Sequence, residues 1–264
     1  GRLASELQAQ GKFDEAEPLF REVLEVDRET LGNRHPHTLT SINNLGRLLQ
    51  CKGDIAAAEP LCREALEGLR ETLDGRHPNT LISINILSTL LQNKGDLAAA
   101  EPLLREALEG WRETLGDRDP NTLTCISSLG MLLKDKGNLA AGEPLCREAL
   151  KGMRETLGSR HPSTLGSIKN LGNLLHHKGD LAAAEPLCRE AMEAKRETLG
   201  DRHPSTLGSI KNLGLLLMDK GDFATAELLY REALERMREI LGNQHPTTLS
   251  VINNLAQCAA EGQG

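Results

Sequence analysis

The 264-residue chain carries a formal net charge of −7, and only 2% of its residues are aromatic. That balance argues against general nucleic-acid affinity, which needs a basic stripe to displace counterions, and against a basic helix lying on a membrane surface. No apolar run reaches the ~18 residues of a transmembrane helix, so no membrane partner is expected.

The start, Gly1-Arg2-Leu3-Ala4, is no signal peptide and reads as a chain already entering a helix, which leaves room for a segment upstream. The six cysteines, at 51, 62, 125, 146, 188 and 258, show no metal-ligand spacing. They favour a reducing, cytoplasmic setting.

Self-similarity dominates the pattern. Pro36, Pro78, Pro120, Pro162, Pro204 and Pro246 are 42 residues apart, and Gly11, Gly53, Gly95, Gly137, Gly179 and Gly221 keep the same period. A single array over 1–264 is expected, with units at about 1–35, 36–77, 78–119, 120–161, 162–203 and 204–245 and a final helix at 246–260.

Each unit reads as two helices. The first runs from Pro36 to about Cys51, with Leu39, Ile42, Leu45, Leu48 and Leu49 at helical spacing. Pro36 suits the first helical position, and His35 sits at the cap. Lys52-Gly53-Asp54 stops this helix and caps the next. The second helix runs from Ile55 to about Leu73, with Ala58, Leu61, Cys62, Ala65, Leu66 and Leu69 on its apolar face.

Small residues mark close helix contacts. Gly46, Gly130, Gly172 and Gly214 share one slot with Ser88, Ala4 and Ala256, and Ala65, Ala107, Ala149, Ala191 and Ala233 share another. Pro60, Pro102, Pro144 and Pro186 oppose the helical reading. Because Leu228 fills the same slot, the helix is expected to continue and to bend there.

His35, His77, His161, His203 and His245 alternate with Asp119 in one slot, which points to capping rather than catalysis or metal binding. Cys62, Cys146 and Cys188 share a slot with Phe20, Leu104 and Tyr230, so they read as core. On the second helices, Arg63 with Glu67, Arg105 with Glu109 and Arg189 with Glu193 are expected to pair on a solvated wall. No nucleophile elbow, phosphate loop or HExxH pattern occurs, so neither enzyme activity nor a cofactor is expected.

Leu45-Gly46, Leu49, Gly53, Ala58 and Ala65 resemble the tetratricopeptide signature, in a unit longer than the usual ~34 residues. Ile-Asn-Asn-Leu, Lys-Gly-Asp, Ala-Glu-Pro-Leu-Cys-Arg-Glu-Ala-Leu-Glu and Leu-Gly-x-Arg-His-Pro together resemble kinesin light chains and nephrocystin-like arrays. The resemblance implies an all-α, right-handed solenoid of antiparallel helix pairs, with first helices lining a concave groove and second helices forming the outer wall. It also implies short peptide cargo, and a kinesin heavy chain or its cargo as partner by resemblance alone. No heptad segment for a motor chain is present, and the slot that often holds Tyr in the family holds Leu49, Leu91, Leu133, Leu175 and Leu217.

Leu45 and Leu49 face the core, so the groove face should carry Thr40, Asn43, Asn44, Arg47, Gln50 and Cys51 and their equivalents. The candidate peptide-binding residues are Asn43, Asn44, Arg47, Asn85, Lys134, Lys169, Asn170, Asn173, Lys211, Asn212, Asn253 and Asn254. Asparagine both donates and accepts, so a row of amides can pair with an extended backbone of any sequence. The lysines and the arginine make this face mildly basic, which suits an acidic peptide. Lys169, Asn173 and Asn212 resemble part of the carboxylate clamp of chaperone-binding tetratricopeptide domains. Its last two basic positions fall on Ser250 and Asn254, so a complete clamp is not expected.

Two functions fit: a scaffold gripping a peptide or partner protein, or a structural or sensor array of a larger signalling protein. The stretch from Asp201 to Gly214 repeats that from Ser159 to Gly172 with one difference, which favours positions kept for the fold.

Overall fold

The computed structural model describes residues 2–9, 11–244 and 246–262; among them are thirteen helices and no strand. The chain divides into two compact units, Gly1–Asn138 and Leu139–Gly264. Unit 1 holds α1 (Arg2–Ala9), α2 (Phe13–Leu31), α3 (Pro36–Lys52), α4 (Ile55–Thr72), α5 (Pro78–Lys94), α6 (Leu97–Leu115) and α7 (Pro120–Asp135). Unit 2 holds α8 (Leu139–Leu157), α9 (Pro162–Lys178), α10 (Leu181–Leu199), α11 (Pro204–Asp219), α12 (Phe223–Leu241) and α13 (Pro246–Glu261). In each unit consecutive helices pack on one another as antiparallel pairs, the repeating architecture of an α-solenoid.

The turns follow from their residues. Gly53, Gly95 and Gly179 take the left-handed conformation at φ 86°, 89° and 84°, which side chains resist. Asp54, Asp96, Asp180 and Asp222 then accept from the third backbone N–H of the next helix at 3.1 Å. At the other joint, Nδ1 of His35, His77, His161 and His203 accepts from the backbone N–H two residues on, at 3.1–3.2 Å. Asp119 Oδ1 does the same at 2.8 Å. The slot is a cap, as an imidazole and a carboxylate sharing it requires; His245 lies outside the described residues.

A periodic threonine completes this joint. Thr38, Thr122, Thr164 and Thr206 are buried, and each Oγ1 donates to the carbonyl of Gly32, Gly116, Gly158 or Gly200 at 2.7–2.8 Å. Thr80 donates to Asp74 in the same way at 3.0 Å. These bonds satisfy carbonyls that the helix end leaves without an internal partner.

The core is aliphatic. Leu39, Ile42, Leu45, Leu48, Leu49, Ala58, Cys62, Ala65, Leu66 and Leu69 are all buried. A Cβ on Gly46 would lie 2.6 Å from Cys62 Sγ, and one on Gly214 would lie 2.7 Å from the Tyr230 ring. Glycine at this slot therefore sets how near the two helices come. Burial raises the Cys62 thiol to about 11, which leaves it an inert packing group.

Pro60 and its equivalents lie within helices assigned without a break, on the exposed side, where Leu228 is also exposed. The carbonyl that each proline leaves unbonded can there be hydrated, which is how the helices tolerate them.

The second helices pair differently from the expectation. Arg63 bonds Glu59, Arg105 bonds Glu101 and Arg189 bonds Glu185, at 2.7–2.8 Å, rather than the glutamates on their C-terminal side. A glutamate N-terminal to its cation is the better order on a helix. The same glutamates also take a lysine from the next first helix: Lys94 reaches Glu59 at 2.7 Å and Lys136 reaches Glu101 at 2.5 Å. The Lys94 ammonium first, then Arg63, holds the Glu59 carboxyl below its usual range.

Candidate functional site

The candidate residues sort by how the fold uses them. In unit 1, Asn43 is 4% exposed, and its Oδ1 accepts from Ser83 Oγ at 3.2 Å. Contrary to the expected ligand face, this amide ties α3 to α5. Asn85 is half-buried, with its Oδ1 sealed from solvent. Asn44 is half-buried; Arg47 is exposed and donates to Gln8 Oε1 at 3.2 Å. Lys134 pairs with Asp135 at 3.0 Å. These groups mostly serve neighbouring helices.

In unit 2 the same face is more open. Lys169 and Asn253 are exposed; Asn170, Asn173, Lys211, Asn212 and Asn254 are half-buried. Asn254 Nδ2 donates to Tyr230 Oη at 3.2 Å, so its column faces the preceding second helix. One period earlier Asn212 stands opposite Cys188, and the small thiol fills much less space than the Tyr230 ring.

A small cleft of about 60 Å³, partly open to solvent, forms there. Lys169, Gly172, Asn173 and His176 of α9, Cys188 and Ala191 of α10, and Ser209, Asn212 and Leu215 of α11 line it. The structure thus brings Lys169, Asn173 and Asn212 together. His176 Nε2 bonds Asp219 across the α9–α11 face.

Cys188, which lines the cleft, and Lys195, which bonds the lining residue Ser209, depart from their repeat equivalents. Cys62 and Cys146 are buried, whereas Cys188 is partly exposed. Next to Ser209 stands Lys195, in a column that carries Asp27 in the first repeat and Leu69, Trp111, Met153 and Met237 in the others, all buried. Lys195 Nζ donates to Ser209 Oγ at 2.9 Å. Burial first, and then the Lys169 charge, pull this ammonium below the ordinary lysine range. Aligning the six repeats reveals Lys195 as a charge in a column that is apolar in four of them; reading first helices alone does not.

What the fold and face define is a helix-pair repeat protein with a cleft bordered by Lys169, Asn173 and Asn212. Tetratricopeptide repeat models match residues 1–71, 43–107, 82–141 and 206–264, and a second such model matches 122–163 and 164–205. The chain belongs to the tetratricopeptide repeat family.

Among solved structures, a Podosopora anserina protein described as a kinesin light chain with nearly identical TPR-like repeats is similar at 25% identity and TM-score 0.61, over 78% of this chain and 97% of that one. BtubC (BKLC) from P. vanneervenii shares the fold at 22% identity and TM-score 0.64, over 90% and 93% of the two chains. A Rap protein complexed with Competence and Sporulation Factor shares it at 13% identity and TM-score 0.67, over 98% and 73%. No curated protein matches the chain. Among the described residues no helix is long and apolar enough to cross a membrane.

Proposed function

We propose that this chain is a cytoplasmic, non-catalytic scaffold that holds an extended, acidic peptide of a partner protein against its first helices, in the manner of a kinesin light chain. The observation that carries this reading is the unequal use of charge. The second helices tie their arginines and glutamates into repeating pairs, such as Arg70 with Glu106 at 2.7 Å and Arg154 with Glu190 at 2.5 Å. On the first-helix face of unit 2, Lys169 and Lys211 stand beside half-buried amides with no carboxylate partner among the described residues. Amides that pair with backbone and cations that attract carboxylates suit a peptide ligand.

The test is a peptide-library selection on the whole chain, with bound sequences measured against variants. Lys169→Glu should slow association, and more so at low salt. Asn212→Ala should weaken binding by about 1–3 kcal/mol, the scale for an unpaired polar group. Arg63→Glu, on the second-helix wall, should leave binding unchanged. If Arg63→Glu abolishes binding and the first-helix variants do nothing, the partner sits on the wall.

The near-identity of Asp201–Gly214 and Ser159–Gly172 supports a rival reading, a spacer within a larger signalling protein. That reading requires a selection that returns no peptide and partners that bind only when flanking domains are attached.

A further inference from the structure

Four first helices are capped by a group that accepts a hydrogen bond only while it is uncharged. Nδ1 of His35, His77, His161 and His203 accepts the backbone N–H of His37, Asn79, Ser163 and Ser205, so in each ring the proton must sit on Nε2. All four rings are exposed or half-buried, within reach of bulk solvent. Protonation adds an N–H at Nδ1. The acceptor is then gone, and a positive charge stands at the helix end that disfavours cations. Among the described residues one joint is built differently. Asp119 Oδ1 accepts the same bond from the Asn121 N–H at 2.8 Å, and an ordinary carboxylate stays ionised down to about pH 4. Thr38, Thr80, Thr164 and Thr206, three residues beyond each imidazole, bond backbone carbonyls of the same joints. Those bonds involve no titrating group, so they hold a joint whose cap is lost.

The charged groups around these joints are largely committed to one another. Arg34, Arg76, Arg160 and Arg202, each next to a cap, pair with Glu71, Glu113, Glu197 and Glu239 of the following second helix at 2.5–3.2 Å. On the preceding second helices, Arg28, Arg70, Arg154 and Arg196 pair with Glu64, Glu106, Glu190 and Glu232. Asp74 accepts from the Arg76 backbone N–H, and Asp201 pairs with Arg196 and Arg236. Two joints carry something extra. Asp27 of α2 bonds His37 Nδ1 at 3.1 Å beside the α3 cap, and the Lys195 ammonium of α10 lies 3.5 Å from the Ser205 carbonyl beside the α11 cap.

We propose that the imidazole caps make the array acid-responsive. Between about pH 7.5 and 5.5, the range over which imidazole changes charge, the first turns of α3, α5, α9 and α11 lose their caps while α7 keeps its own. The folded cap requires the neutral ring, so the unfolded chain binds the additional proton. This contribution to stability is therefore present at the upper end of the range and is lost as pH falls. The His37–Asp27 and His176–Asp219 pairs act with the opposite sign, because protonation strengthens them. Loss should be smallest at α3, which keeps the His37–Asp27 pair, and largest at α11, where Lys195 adds a second cation. The inference is independent of what the first-helix face binds.

The test compares the full native chain with one carrying His35→Asp, His77→Asp, His161→Asp and His203→Asp, the residue type that already caps α7. Imidazole ¹⁵N resonances of the native chain at about pH 7.5 should show the Nε2–H tautomer at all four positions. Hydrogen-exchange protection, corrected for intrinsic rate, is then read at both ends of the range for the amides of His37, Asn79, Ser163 and Ser205. In the native chain it should fall about fivefold on acidification, the population equivalent of one lost cap. The Asn121 amide should hold. In the fourfold variant all five amides should hold, and its urea midpoint should fall less on acidification than that of the native chain. The other histidines are present in both forms and cancel in that comparison. His77→Asp alone should remove the pH dependence at Asn79 and leave it at Ser163, which keeps the test decisive if the fourfold variant does not fold.

An Nδ1–H tautomer at these rings would overturn the proposal at its root. So would unchanged protection of the four amides on acidification, or an equal fall at Asn121. If the Asp variants soften with acid as the native chain does, the sensitivity belongs to His37, His176 or His177 and the caps are not its source.

Discussion

In unit 1, Asn43 and Ser83 bond at 3.2 Å and tie α3 to α5, and Leu69 of α4 is fully buried. In unit 2, the residues three repeat periods further on are Lys169, Ser209 and Lys195, and Lys169 and Ser209 border a small cleft. Backbone geometry is common to both places, because the caps, the glycine turns and the threonine clamps recur in each. The difference lies in three side chains. An amide and a hydroxyl can seal an apolar floor, because each satisfies the other. Two lysines cannot, because neither supplies an acceptor and both carry the same charge. A repeat scaffold can therefore open a cleft at one position without altering its fold elsewhere.

The sharpest way to break the comparison is to move the charge. Leu69→Lys places in unit 1 the residue that unit 2 carries. If the open cleft is what lets Lys195 persist, Leu69→Lys has no such outlet and should cost about 3–5 kcal/mol, the scale for an uncompensated buried charge. A urea titration reads this as a fall in midpoint at unchanged slope. A cost below about 1 kcal/mol would mean that the position lets a lysine reach water in any repeat.

A smaller effect tests the close-contact slot. Gly46→Ala would put a Cβ 2.6 Å from Cys62 Sγ, inside a fully buried pair. The overlap should cost about 1–3 kcal/mol. In Gly172→Ala the new Cβ lies 3.3 Å from Cys188 Sγ, and that thiol borders the cleft and has room to turn. There the gain in helix propensity, up to about 1 kcal/mol, should cancel or exceed the strain. Equal losses in thermal unfolding would show that the cleft gives Cys188 no freedom.

Much of this was legible in the repeat itself. Proline, histidine and glycine at fixed spacing located the helix ends to within a residue or so: Pro36–Lys52 against an expected end at Cys51, and Ile55–Thr72 against Leu73. Gly46 and Ala65 marked the close contacts because only small side chains recur there. The threonine at Thr38 and its equivalents is just as periodic, yet its clamp needs a carbonyl six residues back that spacing alone does not reveal. The face of a first helix was legible in outline only. Asn43 and Lys169 occupy one repeat position, but the partner that buries Asn43 is Ser83 on another helix. Whether an amide faces a ligand or a neighbour depends on that second residue, and on the size of a third such as Tyr230 or Cys188.

The finest test of the comparison sets the two amides side by side. Asn43→Ala deletes the acceptor of Ser83 Oγ inside a sealed contact. The hydroxyl is then left buried, and the loss should be about 1–2 kcal/mol. Asn212 is half-buried and borders the cleft, where water can replace its amide. Asn212→Ala should therefore move stability by no more than about 0.5 kcal/mol. Hydrogen exchange gives a local readout: protection in α5 should fall in the first variant, and protection in α11 should hold in the second. If Asn212→Ala destabilises as much as Asn43→Ala, the Asn212 amide is as structural as the Asn43 amide. Its expected effect on peptide affinity would then be an indirect consequence of a loosened α11, and the contrast between the sealed and the open face would reduce to the lysines alone.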